Sequence, residues 1–320
     1  MARVLVVGGA GYIGAHVCES LVKAGYQVRI FDDFSNGLQR RVEGKFDDVV
    51  IGDVLDRQAL VKALQGVHSV IHLAAKKAVG ESVDNPLKYY QNNVGGILNL
   101  LASMSSAGVK NLVFSSTAAV YSPSQKDLIE EGDPTVPLSP YGATKLLSEQ
   151  IISSVSKAEG FSAISLRYFN VVGSSRPEFG DNSKDNLVPK VFTAIRNGQE
   201  PEIYGDDYPT NDGTCIRDYI HVADLADSHV VALKKVESGV VDEVYNVGSG
   251  TGYSVKEMLD QISKSMGTDL APKVVGRRAG DTPKLIASIS KIERDLGWRP
   301  TSTLEEMIDS SWIAEKANQV

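Results

Sequence analysis

Arg3-Val4-Leu5-Val6-Val7-Gly8-Gly9-Ala10-Gly11-Tyr12-Ile13-Gly14 is the stretch whose reading decides the fold. Its first five residues are apolar and rich in β-branched side chains, which predicts a short buried parallel strand. Glycines at 8, 11 and 14 then allow a tight turn, close approach of backbone to a pyrophosphate, and packing of helix on strand. Tyr12 and Ile13 lie within that turn. A helical stretch follows to about Ala24-Gly25, and its N-terminus offers N–H groups to phosphates. The spacing is G-x-x-G-x-x-G, not G-x-G-x-x-G. A glycine-rich turn alone says little, but a strand before it and a helix after it predict a dinucleotide site.

Working outward, Gln27–Phe31 reads as a second strand with Asp32 at its end. A carboxylate there accepts from both adenosine ribose hydroxyls and repels a 2′-phosphate, and Asp33 adds a second negative charge, so NAD is expected over NADP. Val49–Asp53 reads as a third strand that places Asp53 near adenine, and Asp56–Gln65 as a crossover helix. Val67–Leu73 is the expected fourth strand, followed by Ala74-Ala75, small enough to admit a cofactor. His72 within it reads as a satisfied core histidine. After Asn85-Pro86 a long helical pattern runs to Ala107 and stops at Gly108, with Asn92 and Asn93 placed to reach back toward the cofactor. Lys110–Ser116 is the next strand, ending in the hydroxyls Ser115, Ser116 and Thr117. This alternation predicts an α/β fold, a Rossmann-type doubly wound parallel sheet, whose ligands bind at the carboxyl ends of the strands.

Ser139-Pro140-Tyr141-Gly142-Ala143-Thr144-Lys145 reads as an N-cap, a first helical proline and a helix. Tyr141 and Lys145 are four residues apart and share a face. An ammonium beside a phenol favours the phenolate, which can take a proton from an alcohol. Taken alone, such a pair is an ordinary helix-surface pattern; the preceding nucleotide-binding pattern gives it weight. Thr117 is expected to converge with Tyr141 on the nicotinamide end.

At 320 residues the chain can form one large domain with a lobe, or two domains. The formal charge of −7, without a Lys/Arg run, argues against nucleic acid, and no apolar run is long enough for a membrane span. Cys18 and Cys215 make no disulfide framework or thiolate metal site. His16, His68, His72, His221 and His229 show no ligand cluster. A cytoplasmic, metal-free protein is expected.

Gly8-x-x-Gly11-x-x-Gly14, Asp32, Asp53, Ser115-Ser116-Thr117 and Tyr141-x-x-x-Lys145 together resemble the extended short-chain dehydrogenase/reductase family. Residues 74–82, Asn92-Asn93-Val94 and Arg167-Tyr168-Phe169-Asn170 narrow the resemblance to UDP-glucose 4-epimerases, over nearly the whole chain. The resemblance implies an NAD site completed by Asn36, Val54, Leu73, Ala74, Ala75, Lys77, Asn93, Ser115 and Tyr168. It implies that Asn170, Asn186 and Leu187 contact the diphosphate or nucleotide of a UDP-sugar and that Ile203-Tyr204 border the uracil. Arg217 and Arg278 are the expected diphosphate cations, since guanidinium pairs with phosphate in a bidentate fork. Asp281 is expected at the ribose, and Leu285 at the sugar C2 substituent.

The same resemblance implies 1–170 as the NAD-binding domain, with a returning segment around 222–248, and 171–320 as the UDP-sugar lobe. It also implies a homodimer through the helices containing Asn99 and Leu147. The implied activity is reversible UDP-galactose/UDP-glucose interconversion by C4 oxidation and re-reduction, with N-acetyl sugars open. Val171 stands in place of a common proline, Ser122 of a common glycine and Thr117 of a common serine; none removes a reacting group. The alternatives are another NAD-dependent sugar-nucleotide epimerase, a dehydratase or decarboxylase, or a catalytically silent NAD-binding scaffold. Such dehydratases carry Asp-Glu after the catalytic threonine, where this chain has Ala118-Ala119.

Overall fold

The computed structural model describes residues 2–124, 126–278 and 280–318. Its strands, in order, are β1 (Arg3–Val7), β2 (Gln27–Asp32), β3 (Val49–Ile51), β4 (Ser69–His72), β5 (Asn111–Thr117), β6 (Ser162–Tyr168), β7 (Asn170–Val172), β8 (Glu202–Tyr204), β9 (Ile216–His221), β10 (Asp242–Val247), β11 (Gly252–Ser254), β12 (Lys273–Val275) and β13 (Lys284–Leu285). Seven of them form one parallel sheet in the order β3-β2-β1-β4-β5-β6-β10. The order reverses between β1 and β4, so the loops that leave their carboxyl ends diverge and open a crevice above Gly8. The expected doubly wound sheet is the observed one, and the returning strand predicted at Val244 is β10.

Both faces of the sheet are covered, which is why β1 reads as a continuous apolar run rather than an alternation. Val4, Val6 and Ile71 pack toward Val17 and Leu21 of the helix Tyr12–Lys23 and Leu225 and Leu233 of Val222–Glu237. Leu5, Val7, Val70, Leu112 and Phe114 point the other way, into Leu60, Leu100, Met104 and Ile152 of the helices Arg57–Ala63, Gly95–Ala107 and Pro140–Glu159. Each such fully buried side chain contributes about 1.5–3 kcal/mol relative to exposure.

Two boundaries differ from expectation. β3 stops at Ile51, and the Asp53 carboxylate turns back to accept the Leu55 N–H at 2.8 Å. The single helix expected from Pro86 to Ala107 contains a π-helical turn, Tyr90–Val94, and is preceded by a further helix, Val79–Asp84. Gly108 ends it in the left-handed conformation, φ 71°, as the sequence predicts.

Beyond β6 the strands β7, β9, β11 and β13 form a mixed four-stranded sheet, and β8 pairs with β12. The helices Leu187–Arg196, Val255–Met266 and Leu304–Ala317 bury Phe192, Leu259, Ile262, Met307 and Ile308 against this lobe. Capping boxes Ser254/Glu257 and Thr303/Glu306 start the last two. The segment 173–182 is stitched onto the first helix of the main sheet. Tyr12 Oη donates to Gly173 O at 2.6 Å and Ser175 N to His16 Nε2 at 3.0 Å. The fully buried Arg41 guanidinium donates to Gly180 O at 2.6 Å and Asn182 Oδ1 at 2.9 Å.

No described helix is long and apolar enough to cross a membrane.

Candidate active site

The glycine turn has no room for side chains. Gly8 has φ +87°, and a Cβ on it would lie 2.7 Å from the Ala74 nitrogen; one on Gly14 would lie 2.1 Å from Gly8 O. Gly11 caps the helix Tyr12–Lys23 without a capping side chain, and the first turn holds no acidic residue. Its N–H groups are thereby left for an anionic ligand. At the end of β2 the buried Asp32 accepts from Ala10 N at 2.9 Å and Phe34 N at 2.8 Å, which ties that carboxylate to the turn. Burial raises its pKa while these N–H groups oppose the rise. Asp33, Asn36, Asp53 and Lys77 are exposed around the crevice, Val54 is buried, and Ile13, Leu73, Ala74 and Ala75 line its floor half-buried. These residues fit a dinucleotide: a side-chain-free turn for the diphosphate, and a fixed carboxylate at the second strand for a ribose.

At the nicotinamide end Ser139 caps its helix by accepting from Gly142 N at 3.2 Å, with Pro140 at the first position, as the sequence predicts. A Cβ on Gly142 would lie 2.3 Å from Ala119 O, so glycine is what lets this helix close on the end of β5. Thr117, the last residue of β5, caps the 3₁₀ turn Ala118–Val120 through Ala119 N at 3.2 Å. Burial raises the pKa of the Tyr141 phenol, and the neighbouring Thr117 hydroxyl acts to lower it.

Lys145 departs from expectation. Its stem runs inward, so Nζ donates to Ser115 O at 2.7 Å and Ser115 Oγ at 3.2 Å and lies 4.8 Å from the Phe114 ring centre. Burial lowers its pKa to about 7, opposed by Glu149. Thr117, and not Lys145, is the neighbouring group that acts on the phenol here. His72 departs as well: it is buried and stacked on Phe114, but its Nδ1 has no hydrogen-bond partner. Asn93 does reach back. It accepts from Lys76 N at 2.9 Å and donates to Lys76 O and Thr144 Oγ1 at 3.0 Å each, clamping the loop after β4 to the Tyr141 helix. Asn92 reaches only Asn93.

In the lobe, Arg217 pairs with Asp281 at 3.2 Å and lies in register with Leu285 across β9 and β13. Arg278 stacks 3.7 Å from the Tyr204 ring centre, and Lys190 donates to the Tyr204 hydroxyl at 2.6 Å. Ile203 is buried beside them. Asn186 caps the helix that begins at Leu187 and donates to Asp181 at 2.6 Å. Asn170 lies in register with Tyr219 across β7 and β9. Leu285 packs against the cluster that holds Ala118 and Phe169.

Sequence reasoning missed Asp218. It is fully buried and accepts from Ser249 N at 2.7 Å, Ser249 Oγ at 2.8 Å, Gly250 N at 3.0 Å and Ala287 N at 3.1 Å, fixing the strands that carry Arg217 and Leu285. Burial still pushes it up to about 6.

The sequence model of the NAD dependent epimerase/dehydratase family matches residues 4–248. The chain belongs to this family. It is 41% identical to the UDP-glucose 4-epimerase of Bacillus subtilis, covering 98% of this chain and 97% of that one. Among solved structures it is similar to a UDP-glucose-4-epimerase from Stenotrophomonas maltophila with bound NAD and formylated UDP-arabinopyranose. That protein is 36% identical with a TM-score of 0.94, over 100% of this chain and 99% of that one. It is similar also to the UDP-Glc/GlcNAc 4-epimerase of Campylobacter jejuni: 36% identical, TM-score 0.87, covering 99% of each.

Proposed function

We propose that this protein interconverts UDP-galactose and UDP-glucose through oxidation and re-reduction at C4 of the sugar. The observation that carries this reading is the meeting of Thr117 and Tyr141 at the carboxyl end of β5, with Lys145 on the same helix and the glycine turn across the crevice. When bound, NAD supplies the hydride acceptor and donor for C4. Gly8, Gly11, Tyr12, Ile13 and Gly14 would hold its diphosphate, Asp32 its adenosine ribose, and Ser115, Lys145 and Tyr168 its other end.

Tyr141 takes the proton of the sugar 4-hydroxyl and later returns it, and the Thr117 hydroxyl hydrogen-bonds the same oxygen. Lys145 shares the helix face with Tyr141 while its Nζ is held on Ser115. The 4-keto sugar turns over within the crevice while its UDP stays anchored by the lobe, through Asn170, Asn186, Leu187, Tyr204, Arg217, Arg278 and Asp281. Arg217 and Arg278 bring guanidinium groups suited to phosphate. Ala118 and Ala119 follow Thr117 with methyl groups, which cannot serve the acid–base chemistry of a dehydratase.

The division at residue 170, with 222–248 returning to the main sheet, belongs to this reading, as does a cytoplasmic location, in keeping with two free buried cysteines. So does a homodimer: Val83, Leu87, Leu98 and Leu147 are apolar and exposed on the neighbouring helices around residues 79–107 and 140–159. A second reading, that N-acetylated UDP-hexoses are also accepted, is favoured by Leu285, an aliphatic side chain packed against the cluster that holds Ala118, the residue after Thr117.

The test is product analysis of the purified protein supplied with UDP-galactose, together with the nucleotide released on denaturation. UDP-glucose as product and NAD in the extract are expected; NADP in place of NAD would overturn the Asp32 argument.

A further inference from the structure

Arg41 follows β2 in the turn Gln39–Arg41, on the cofactor side of the crevice, yet its shortest hydrogen bonds cross to the other side. Nη2 donates to Gly180 O at 2.6 Å and to Asn182 Oδ1 at 2.9 Å, while Nη1 lies 3.4 Å from Ala10 O. Among the described residues, these are the hydrogen bonds that reach Gly180 and Asn182 from another element. Between the two stands Asp181, which accepts from Ser183 N at 2.9 Å and from Asn186 Nδ2 at 2.6 Å. Asn186 caps the helix Leu187–Arg196, whose start is assigned above to the UDP. Hydrogen bonds and adjoining peptide links thus run without a gap from Arg41 to the Asn186 amide.

Packing anchors this segment only at its start. Phe179 is buried, and Asn318 Nδ2 donates to Pro177 O at 3.0 Å. Gly180 abuts Ala314 and Asn318. Beyond it, Asp181 borders a cavity of about 20 Å³ with Tyr12, Val188, Phe192 and Ser311, and Asn182 is exposed. Arg41 itself is fully buried, and its Nε has no partner. Burial lowers its pKa to about 10, opposed by the Asp181 charge, so the group is a cation at neutral pH. An apolar side chain of the same length would fill the space without the cost of burying that cation.

We propose that Arg41 is a positioning residue for the UDP moiety of the substrate. By holding Gly180 and Asn182 it sets Asp181, and Asp181 aims the Asn186 amide. The role rests on the reading of Asn186 given above. Without the guanidinium, Asn186 loses its fixed direction before UDP arrives, so ordering it becomes part of the cost of binding. The C4 chemistry, set at the far end of the crevice by Thr117 and Tyr141, is left as it was.

The experiment compares wild type, Arg41→Met, Asn186→Ala and the double variant as holoenzymes. Arg41→Met is expected to raise KM for UDP-galactose about tenfold to hundredfold, the range of a hydrogen bond to a charged group, with kcat nearly unchanged. NAD is expected to stay bound, because Ala10 keeps its bonds to Leu38 N and to Asp32. In the Asn186→Ala background, Arg41→Met should add no more than about twofold, since it acts through that amide. Arg41→Lys, which can still donate to Gly180 O, should recover part of the affinity. A wild-type KM in Arg41→Met, a fall in kcat without a rise in KM, loss of NAD, or an additive double variant would overturn the proposal. Should Arg41→Met not fold, Asn182→Ala decides instead. It leaves the guanidinium in place and removes its exposed acceptor, so KM should rise in the same direction, and a wild-type KM there would overturn the proposal.

A second arm reads the same role without turnover, by calorimetric titration of the holoenzymes with UDP. The dissociation constant is expected to rise in Arg41→Met by the same factor as KM, and equal UDP affinity in wild type and variant would overturn the proposal. A wild-type protein that binds UDP but interconverts no UDP-hexose would remove the reaction, and the affinity ratio would still decide the role of Arg41.

Discussion

Glu149 and Arg167 form a bidentate ion pair, at 2.7 and 3.0 Å, with both side chains buried between the Tyr141 helix and β6. Ser116 on β5 also donates to Glu149. Arg167 reaches the Tyr121 hydroxyl at 2.9 Å, and that hydroxyl donates to Asn246 of β10 at 2.6 Å. One network thus joins three strands and the Tyr141 helix, and the attraction of Glu149 raises the Arg167 pKa despite burial. Removing one partner leaves a buried charge uncompensated, at a cost of about 3–5 kcal/mol. Glu149→Ala is expected to lose that much stability in denaturant unfolding. The double variant Glu149→Leu/Arg167→Met is expected to be more stable than Glu149→Ala, and an additive loss in the double variant would contradict this account.

Tyr141→Phe keeps the ring and its packing but removes the proton carrier. Turnover of UDP-galactose should fall by roughly 10²–10⁴, with NAD retained on purification. A variant that turns over at the wild-type rate would remove Tyr141 from the mechanism.

Leu285 governs substrate breadth in this reading. UDP-GlcNAc and UDP-GalNAc are expected to interconvert in wild type and to be rejected by Leu285→Tyr, because overfilling a packed site costs about 1–3 kcal/mol. Pocket differences of methylene size discriminate by roughly 10–200-fold. Assays of both sugar classes in both proteins decide it: equal, negligible N-acetyl activity would show that Leu285 is not the gate.

Acid should destabilise the fold through its buried histidines. Burial lowers His72 to about 3 and His16 and His229 to about 4, from 6.5. The unfolded chain therefore binds more protons than the folded one between pH 6.5 and about 4, and stability falls as pH drops through that window. Each group contributes a slope of at most about 1.4 kcal/mol per pH unit. Asp218, raised from 3.8 to about 6, acts the other way, because the folded state holds its extra proton. His72→Leu removes one of the three histidines together with an unpartnered buried nitrogen. Urea unfolding at pH 5 and pH 7.5 should show a smaller loss for this variant than for wild type; equal losses would exclude His72 as a source.

The parts of the site legible in the sequence are those that act locally. The Ser139 cap, the proline after it, the Gly8–Gly14 turn and the Gly108 helix stop each depend on neighbours within a few residues, and the structure has them where the pattern predicts. Tyr141 and Lys145 were legible as a pair by helical spacing, but not the inward course of the lysine, which depends on Ser115 from a strand thirty residues earlier. Arg41, Asp218 and His229 carry no local signal, and the motif Arg167-Tyr168-Phe169-Asn170 does not disclose the pairing of Arg167 with Glu149, because the partners lie far along the chain. Helical spacing does place Glu149 four residues beyond Lys145, on the buried face; that is the one signal that could have exposed its network.

The π turn at Tyr90–Val94 sets the phase of the helix that contains it. A π turn holds one residue more than an α turn, and each helical residue advances the face by about 100°. Upstream of Gly95 the helix presents Asn93 to Lys76 and Thr144; downstream it presents Leu100 and Met104 to the sheet and Leu98 to the outside. Deleting one residue here would leave every downstream side chain chemically intact yet point it a quarter-turn or more away from its present neighbour. The length of this segment is thus itself a specificity element, indexing the cofactor loop against the outer apolar surface, and no single substitution could reproduce its loss.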